Sequence, residues 1–172
     1  MFQGCTSLVQ APELPATTLA PYCYDGIFIN CTGLTTVPSI LPATTLADGC
    51  YYRMFSHCRS LTQAPELPAT TLADYCYQYM FSTCTSLTTA PDLPATTLTQ
   101  YCYYYMYSGC TNLNYIKCLA TDKSATSCTS YWVQGVASTG TFVKDSNMPV
   151  GTGGWPRGNS GIPYSWTVQY AS

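Results

Sequence analysis

A six-residue phrase, Leu-Pro-Ala-Thr-Thr-Leu, occurs four times in this chain of 172 residues, at 14–19, 41–46, 67–72 and 93–98. The copies begin 26 or 27 residues apart. A repeat of this period predicts a solenoid, in which each coil buries its apolar side by stacking on the next. The cysteines follow the same interval. They form two columns that step by 26 residues with a single 27: Cys5, Cys31, Cys58, Cys84 and Cys110, and Cys23, Cys50, Cys76, Cys102 and Cys128.

Within one coil, residues 69–91, the apolar residues follow helical spacing. Thr71 and Asp74 have the spacing of a helix N-cap and its partner. Residues 87–90 are β-prone and end at Pro91, which indicates a short strand. We therefore predict an α/β repeat of about four coils, each with a short parallel strand and a short helix. The predicted helix face carries Leu72, Cys76, Met80, Phe81, Cys84 and Leu87.

Beyond residue 118 the repeat decays. Residues 131–133, 141–143 and 166–170 have the composition of strands, and residues 151–161 form a glycine-rich loop. The sequence predicts two domains: a repeat solenoid over 1–118, which begins in mid-repeat because Met1-Phe2 matches Met54-Phe55, and a degenerate last coil with a β-rich C-terminal cap over 119–172.

The run Tyr-Met-Phe-Ser-Thr-Cys-Thr-Ser-Leu-Thr at residues 79–88 resembles the motif of BspA-like (Treponema-type) leucine-rich repeats of bacterial surface proteins. The likeness covers about residues 1–118. Residues 128–166 resemble the segment that often follows such repeats in gut Bacteroidales proteins. The resemblance implies a right-handed leucine-rich-repeat solenoid, an extracellular or cell-surface location, and a role in adhesion.

Composition argues against several functions. Charged residues make up 8% of the chain and the net charge is −2, so no basic surface is expected to follow a nucleic acid. No apolar run approaches the ~18 residues of a membrane span, and no signal peptide is recognisable. With one histidine, His57, and no Cys-x-x-Cys pair, we predict no metal site, no cofactor and no catalytic constellation.

Eleven cysteines in a short chain could form disulfides. Equivalent cysteines on adjacent coils would stand side by side rather than face each other, which favours buried free thiols. A disulfide from Cys118 to Cys128 or Cys110 is the alternative. The predicted structural core contains Cys23, Cys31, Cys50, Cys58, Cys76, Cys84, Cys102, Cys110, Leu61, Leu87, Phe55 and Phe81.

The sixteen tyrosines cannot all fit inside the coils. Those outside form either a ladder that stiffens the surface or a platform for a sugar or protein. Trp155, in the glycine-rich loop, either anchors a ligand or packs on the cap. The predicted binding residues are Tyr75, Tyr77, Tyr79, Tyr101, Tyr103, Tyr105 and Trp155.

The sequence favours a non-enzymatic cell-surface binding or adhesion module that contacts a protein or glycan through a repeat surface. The alternative is a structural spacer or self-assembling element of a surface fibre or phage-like appendage, with self-association through the open N-terminal coil. A row of polar residues at coil spacing indicates either a calcium site or a solvated edge: Glu13, Ser39, Glu66 and Asp92.

Overall fold

The computed structural model describes residues 2–171. The chain winds into coils that stack in parallel at the interval of the sequence repeat. Isolated bridges join Gln10 to Thr36 and Thr89 to Tyr115, each pair 26 residues apart. The coils are therefore held to one another by backbone hydrogen bonds as well as by side-chain packing.

Three strands form the regular sheet: β1 Tyr115–Cys118, β2 Thr141–Lys144 and β3 Thr167–Tyr170. They pair in parallel in the order β1-β2-β3. The strands β2 and β3 coincide with two predicted strands, and β1 overlaps the place of the short strand predicted for each coil, whereas residues 131–133 form turns. β1 and β2 lie on opposite sides of the domain boundary predicted after residue 118, and they pair with each other. The division into two domains stays a prediction.

The predicted α/β leucine-rich-repeat solenoid, with a helix in each coil, is wrong, because no helix is present within residues 2–171. In residues 49–58 the backbone alternates between two partners. The N–H of Tyr51 donates to the carbonyl of Cys76 in the next coil at 3.1 Å, whereas the N–H of Tyr52 donates to Gly49 at 3.0 Å. An α-helix would satisfy these groups internally and could not bond to neighbouring coils in this way.

In residues 49–58 and in the equivalent segments of the other coils, every fourth residue has a left-handed backbone. In one coil these residues are Gly49, Arg53 and His57, with φ of 56°, 52° and 63°. The reversal prevents a continuous right-handed helix and returns the chain to the same orientation every four residues. Because a period of four is close to the helical 3.6, the spacing of the apolar residues gave the wrong element.

Two further local predictions change. The carboxylate of Asp74 does not cap its own segment; its Oδ1 accepts the backbone N–H of Gln100 in the next coil at 3.0 Å. The strand predicted at 87–90 is reduced to the single bridge of Thr89 with Tyr115.

The core is organised as two columns of stacked rings. In the first, Phe28 and Phe55 lie 5.5 Å apart between ring centroids, and Phe55 and Phe81 lie 5.7 Å apart. The second column consists of Tyr24, Tyr51, Tyr77 and Tyr103, with successive centroids 5.9, 5.9 and 6.1 Å apart. Leu61 and Leu87 are also fully buried.

Within residues 2–171 the fold contains no helix long and apolar enough to cross a membrane.

Candidate binding surfaces

Six partly or fully exposed tyrosines form a continuous aromatic surface over three successive coils. We call this surface the tyrosine patch. Its ring centroids approach to 5.2 Å between Tyr79 and Tyr105, and to 5.0 Å between Tyr105 and Tyr131. The patch consists of Tyr75, Tyr79, Tyr101, Tyr104, Tyr105 and Tyr131.

Five of the six patch tyrosines have a left-handed backbone, with φ between 52° and 60°. This conformation costs an L-residue roughly 1–2 kcal/mol and costs glycine nothing. Glycine does occur at the same place in other coils: Gly26 is equivalent to Tyr79, and Gly49 to Tyr75. The backbone therefore does not require tyrosine at these positions, and the ring itself must account for its presence.

The patch carries no charge at neutral pH. Desolvation by the surrounding rings raises the pKa of Tyr79 above its usual value, and the neighbouring phenol of Tyr104 raises it further. The Tyr79 hydroxyl therefore remains protonated at neutral pH, and it offers a neutral hydrogen-bonding group on an apolar aromatic surface.

The structure divides the predicted binding residues into two groups. Tyr75, Tyr79, Tyr101 and Tyr105 lie in the tyrosine patch. Tyr77 and Tyr103 are only 2% and 1% exposed and belong to the core column, so neither presents a ring to a partner. With a period of four, the residue after each inner cysteine also points inward. Of the patch members not predicted, Tyr131 could have been found from the column at 79, 105 and 131, whereas Tyr104 follows Gln78 in its own column and had no such signal.

Trp155 is also buried, contrary to its predicted binding role. Its ring stacks on Trp132 at 5.3 Å, and the ammonium of Lys123 lies 4.2 Å from the ring centroid. Burial lowers the pKa of Lys123 below its usual value. Trp155 is therefore a packing residue that secures the glycine-rich loop.

All eleven cysteines are free thiols, and nine of them are buried. Cys118 and Cys128 are among the buried ones and form no disulfide. Cys23 was predicted in the core but is exposed, as is Cys5. Both lie on the N-terminal side of the described stack.

The column that contains Cys58 has a polar function as well as a packing function. Its thiols donate hydrogen bonds to the carbonyl of the inner aromatic residue one coil earlier. Cys58 donates to Phe28 at 3.2 Å and Cys84 to Phe55 at 3.1 Å. The same carbonyls accept the local backbone hydrogen bond of that earlier coil. A protonated thiol thus links adjacent coils where a purely apolar side chain could not.

A groove crosses three coils on the strand side of the stack, away from the tyrosines. It is lined by residues 35–39, 62–64, Glu66 and 88–91. We call it the threonine groove. Thr36, Thr62, Thr88 and Thr89 are all exposed along it.

The groove coincides with a gap in the pairing between coils. Within residues 2–171, no backbone hydrogen bond joins residues 62–64 to either neighbouring coil. Pairing resumes one coil further on, where the N–H of Ala90 donates to Tyr115 at 2.9 Å. The middle rung of the groove therefore presents unused backbone donors and acceptors to solvent.

The polar row of Glu13, Ser39, Glu66 and Asp92 contributes Ser39 and Glu66 to the lining of the groove. Asp92 pairs with Lys117 at 2.6 Å across adjacent coils. Among the described residues, no group of three His, Cys, Asp or Glu side chains could hold a metal ion.

Comparison of the chain with protein-family models, with curated proteins and with solved structures finds no match.

Proposed function

We propose that this chain is a non-enzymatic binding module of a cell surface, and that the tyrosine patch is its contact surface for a protein partner. One observation carries the proposal. Five tyrosines occupy left-handed positions at which glycine would cost less and at which glycine occurs in other coils. The left-handed backbone itself recurs in every coil, so it is the choice of an exposed aromatic residue at these positions that points to a contact surface.

The chemistry of the patch favours a protein partner. Tyrosine combines a large apolar face with a hydroxyl and loses little side-chain entropy on binding, which is why it is enriched in interface hot spots. The rings also pack against one another, so part of their freedom is already lost before a partner arrives. The resemblance to BspA-like surface proteins supports a location at the cell surface.

The distribution of tyrosine favours binding over a spacer role. A spacer needs only equivalent coils, but the column that contains Tyr79, Tyr105 and Tyr131 has Gly26 and Arg53 in the two earlier coils. Rings of this column are thus confined to three coils, while Tyr52 and Tyr22 continue the ring contacts from Tyr79 into the earlier coils at centroid separations of 6.2 and 6.4 Å.

A triple substitution tests the proposal. Replacing Tyr79, Tyr105 and Tyr131 by glycine removes three rings from positions whose backbone suits glycine. The five ring pairs lost, worth about 0.5–1.5 kcal/mol each, are offset by relief of roughly 1–2 kcal/mol of strain at each of the three sites. The fold should therefore survive, which circular dichroism can verify. Arg53→Gly, in the same column but outside the patch, is the matched control.

Binding is measured by surface plasmon resonance against a panel of purified extracellular-matrix proteins, with a glycan array in parallel. We expect the wild type to bind at least one matrix protein, the triple variant to bind it at least tenfold more weakly, and the control to match the wild type. Equal binding by all three proteins would refute the assignment of the patch. If light scattering instead shows a defined oligomer that the triple variant loses, the patch serves self-assembly.

A further inference from the structure

The threonine groove has a periodic lining. Each of its three coils contributes two polar residues and then a small apolar residue, namely Thr-Thr-Val at 35–37, Thr-Gln-Ala at 62–64 and Thr-Thr-Ala at 88–90, and the outer two coils add Pro38 and Pro91. The groove therefore repeats one chemical pattern at each coil. A ligand that matches it needs a repeating unit of its own.

The groove also gathers hydrogen-bonding groups that the protein does not use. Within residues 2–171, the hydroxyls of Thr62, Thr88 and Thr89 have no protein partner. The unpaired backbone of residues 62–64 lies among them. In the free protein water must satisfy these groups, and a ligand rich in hydroxyls can take the place of that water.

The lining is almost neutral, which limits the ligand class. Glu66 is the one charged residue among those that line the groove, and no lysine or arginine lines it. A polyanion would find no cation to pair with, and the carboxylate would repel it. A neutral polyol instead offers hydroxyl donors to Glu66 and mixed donors and acceptors to the threonines.

The direction of the groove separates a sugar chain from a peptide. A peptide that adds to a sheet runs along the edge of a strand. This groove crosses three coils, so its occupant runs along the stacking direction. The coils pair in parallel, and parallel strands lie roughly 4.8 Å apart, a spacing comparable with the length of one pyranose unit. The small apolar residues and prolines between the polar pairs suit the C–H faces of such rings.

We propose that the threonine groove binds an extended, neutral glycan chain along the stacking direction, with about one sugar residue per coil. This site is separate from the tyrosine patch in place and in chemistry. The glycan bridges the open middle rung at residues 62–64, where the protein's own pairing between coils is interrupted.

Isothermal titration calorimetry with neutral hexasaccharides, namely cellohexaose, maltohexaose and mannohexaose, tests the proposal. Hexagalacturonate serves as the anionic counterpart. The test variant is T62V/T88V/T89V, which removes three hydroxyls and keeps β-branched side chains of similar size. The matched control is T44V/T70V/T96V, because those threonines are equally exposed but lie outside the groove.

We expect at least one neutral hexasaccharide to bind, and in its shorter homologues we expect the affinity to rise from the disaccharide to the trisaccharide, which reaches all three coils. The groove variant should bind at least tenfold more weakly, while the control and the triple glycine variant of the tyrosine patch should bind like the wild type. The proposal is overturned if no neutral hexasaccharide binds, if hexagalacturonate binds better, or if both threonine variants weaken equally. Loss of binding in the tyrosine variant alone would also overturn it, because the glycan would then sit on the patch.

Discussion

Raising the pH should unfold this protein through its buried cysteines. Burial raises the pKa of five thiols from 9.0 to about 12: Cys50, Cys58, Cys102, Cys110 and Cys118. Because the folded pKa lies above the unfolded one, the unfolded chain releases these protons first. The stabilisation is therefore complete below pH 9 and is lost as the pH rises towards 12.

The size of the effect follows from the linkage relation. At pH 10 each of these thiols costs the folded state about 1.4 kcal/mol, so five together remove about 7 kcal/mol of unfolding free energy. At pH 11 the total reaches roughly 13 kcal/mol. A domain of this size has a free energy of unfolding of roughly 5–15 kcal/mol at neutral pH. The unfolding midpoint should accordingly fall between about pH 10 and pH 11.

Two optical signals recorded together measure this transition. Far-ultraviolet circular dichroism follows the fold, and thiolate absorbance follows ionisation of the cysteines, with reductant present throughout. We expect both to change in one cooperative step well above pH 9. Thiolate absorbance that rose fully near pH 9 while the fold persisted would contradict the reasoning, because it would show that water reaches the thiol columns in the native state.

Three other predictions concern single contacts. At neutral pH an aromatic disulfide reagent should modify the exposed Cys5 and Cys23 quickly and the nine buried thiols only on unfolding; rapid reaction of more than two would contradict the burial. Phe81→Ala should lower the unfolding free energy by about 3–5 kcal/mol in a urea titration. Tyr22→Ala, at a residue 50% exposed, should lower it by less than about 1 kcal/mol. Equal effects would mean that the ring column does not stabilise the fold more than an exposed ring does. Asp74→Ala should cost about 1 kcal/mol, because it removes the acceptor for the backbone of Gln100. Asp48→Ala, at the equivalent position one coil earlier, should cost less, since Asp48 makes no such hydrogen bond within residues 2–171.

The interval of 26 residues could be read from the sequence because identical residues recur in columns, and the parallel bridges follow that interval. The conformation within each coil could not. Over three turns, apolar steps of four residues fit a helix as well as a chain of turns, and the sequence does not show where the N–H groups point. A signal was nevertheless present, because Gly26 and Asn30, four residues apart, are the residue types that favour positive φ.

The tyrosines show the same limit. Counting showed that some rings must lie outside, but the choice between inside and outside depends on the period. With a period of four, Cys76 and Tyr77 both face inward, and Tyr75 and Tyr79 face outward. The helical period of 3.6 residues does not predict which of these adjacent residues face inward and which face outward. The threonine groove was still harder to foresee, since it depends on backbone pairing that fails at one rung and resumes at the next.

On the C-terminal side of the core, one residue packs against the last ring of both columns. Trp132 packs on the last tyrosine of one ring column, Tyr103, at 5.9 Å, and on the last ring of the other column, Tyr107, at 6.2 Å. A single indole thus covers both columns, and its Nε1 donates to the carbonyl of Gly161 at 2.8 Å, so no polar atom of the ring is left unpaired. Trp155 then covers Trp132 from the far side. The C-terminal residues lose the repeat sequence for this reason: a further tyrosine and phenylalanine would extend both columns, whereas one tryptophan brings them together and closes the core.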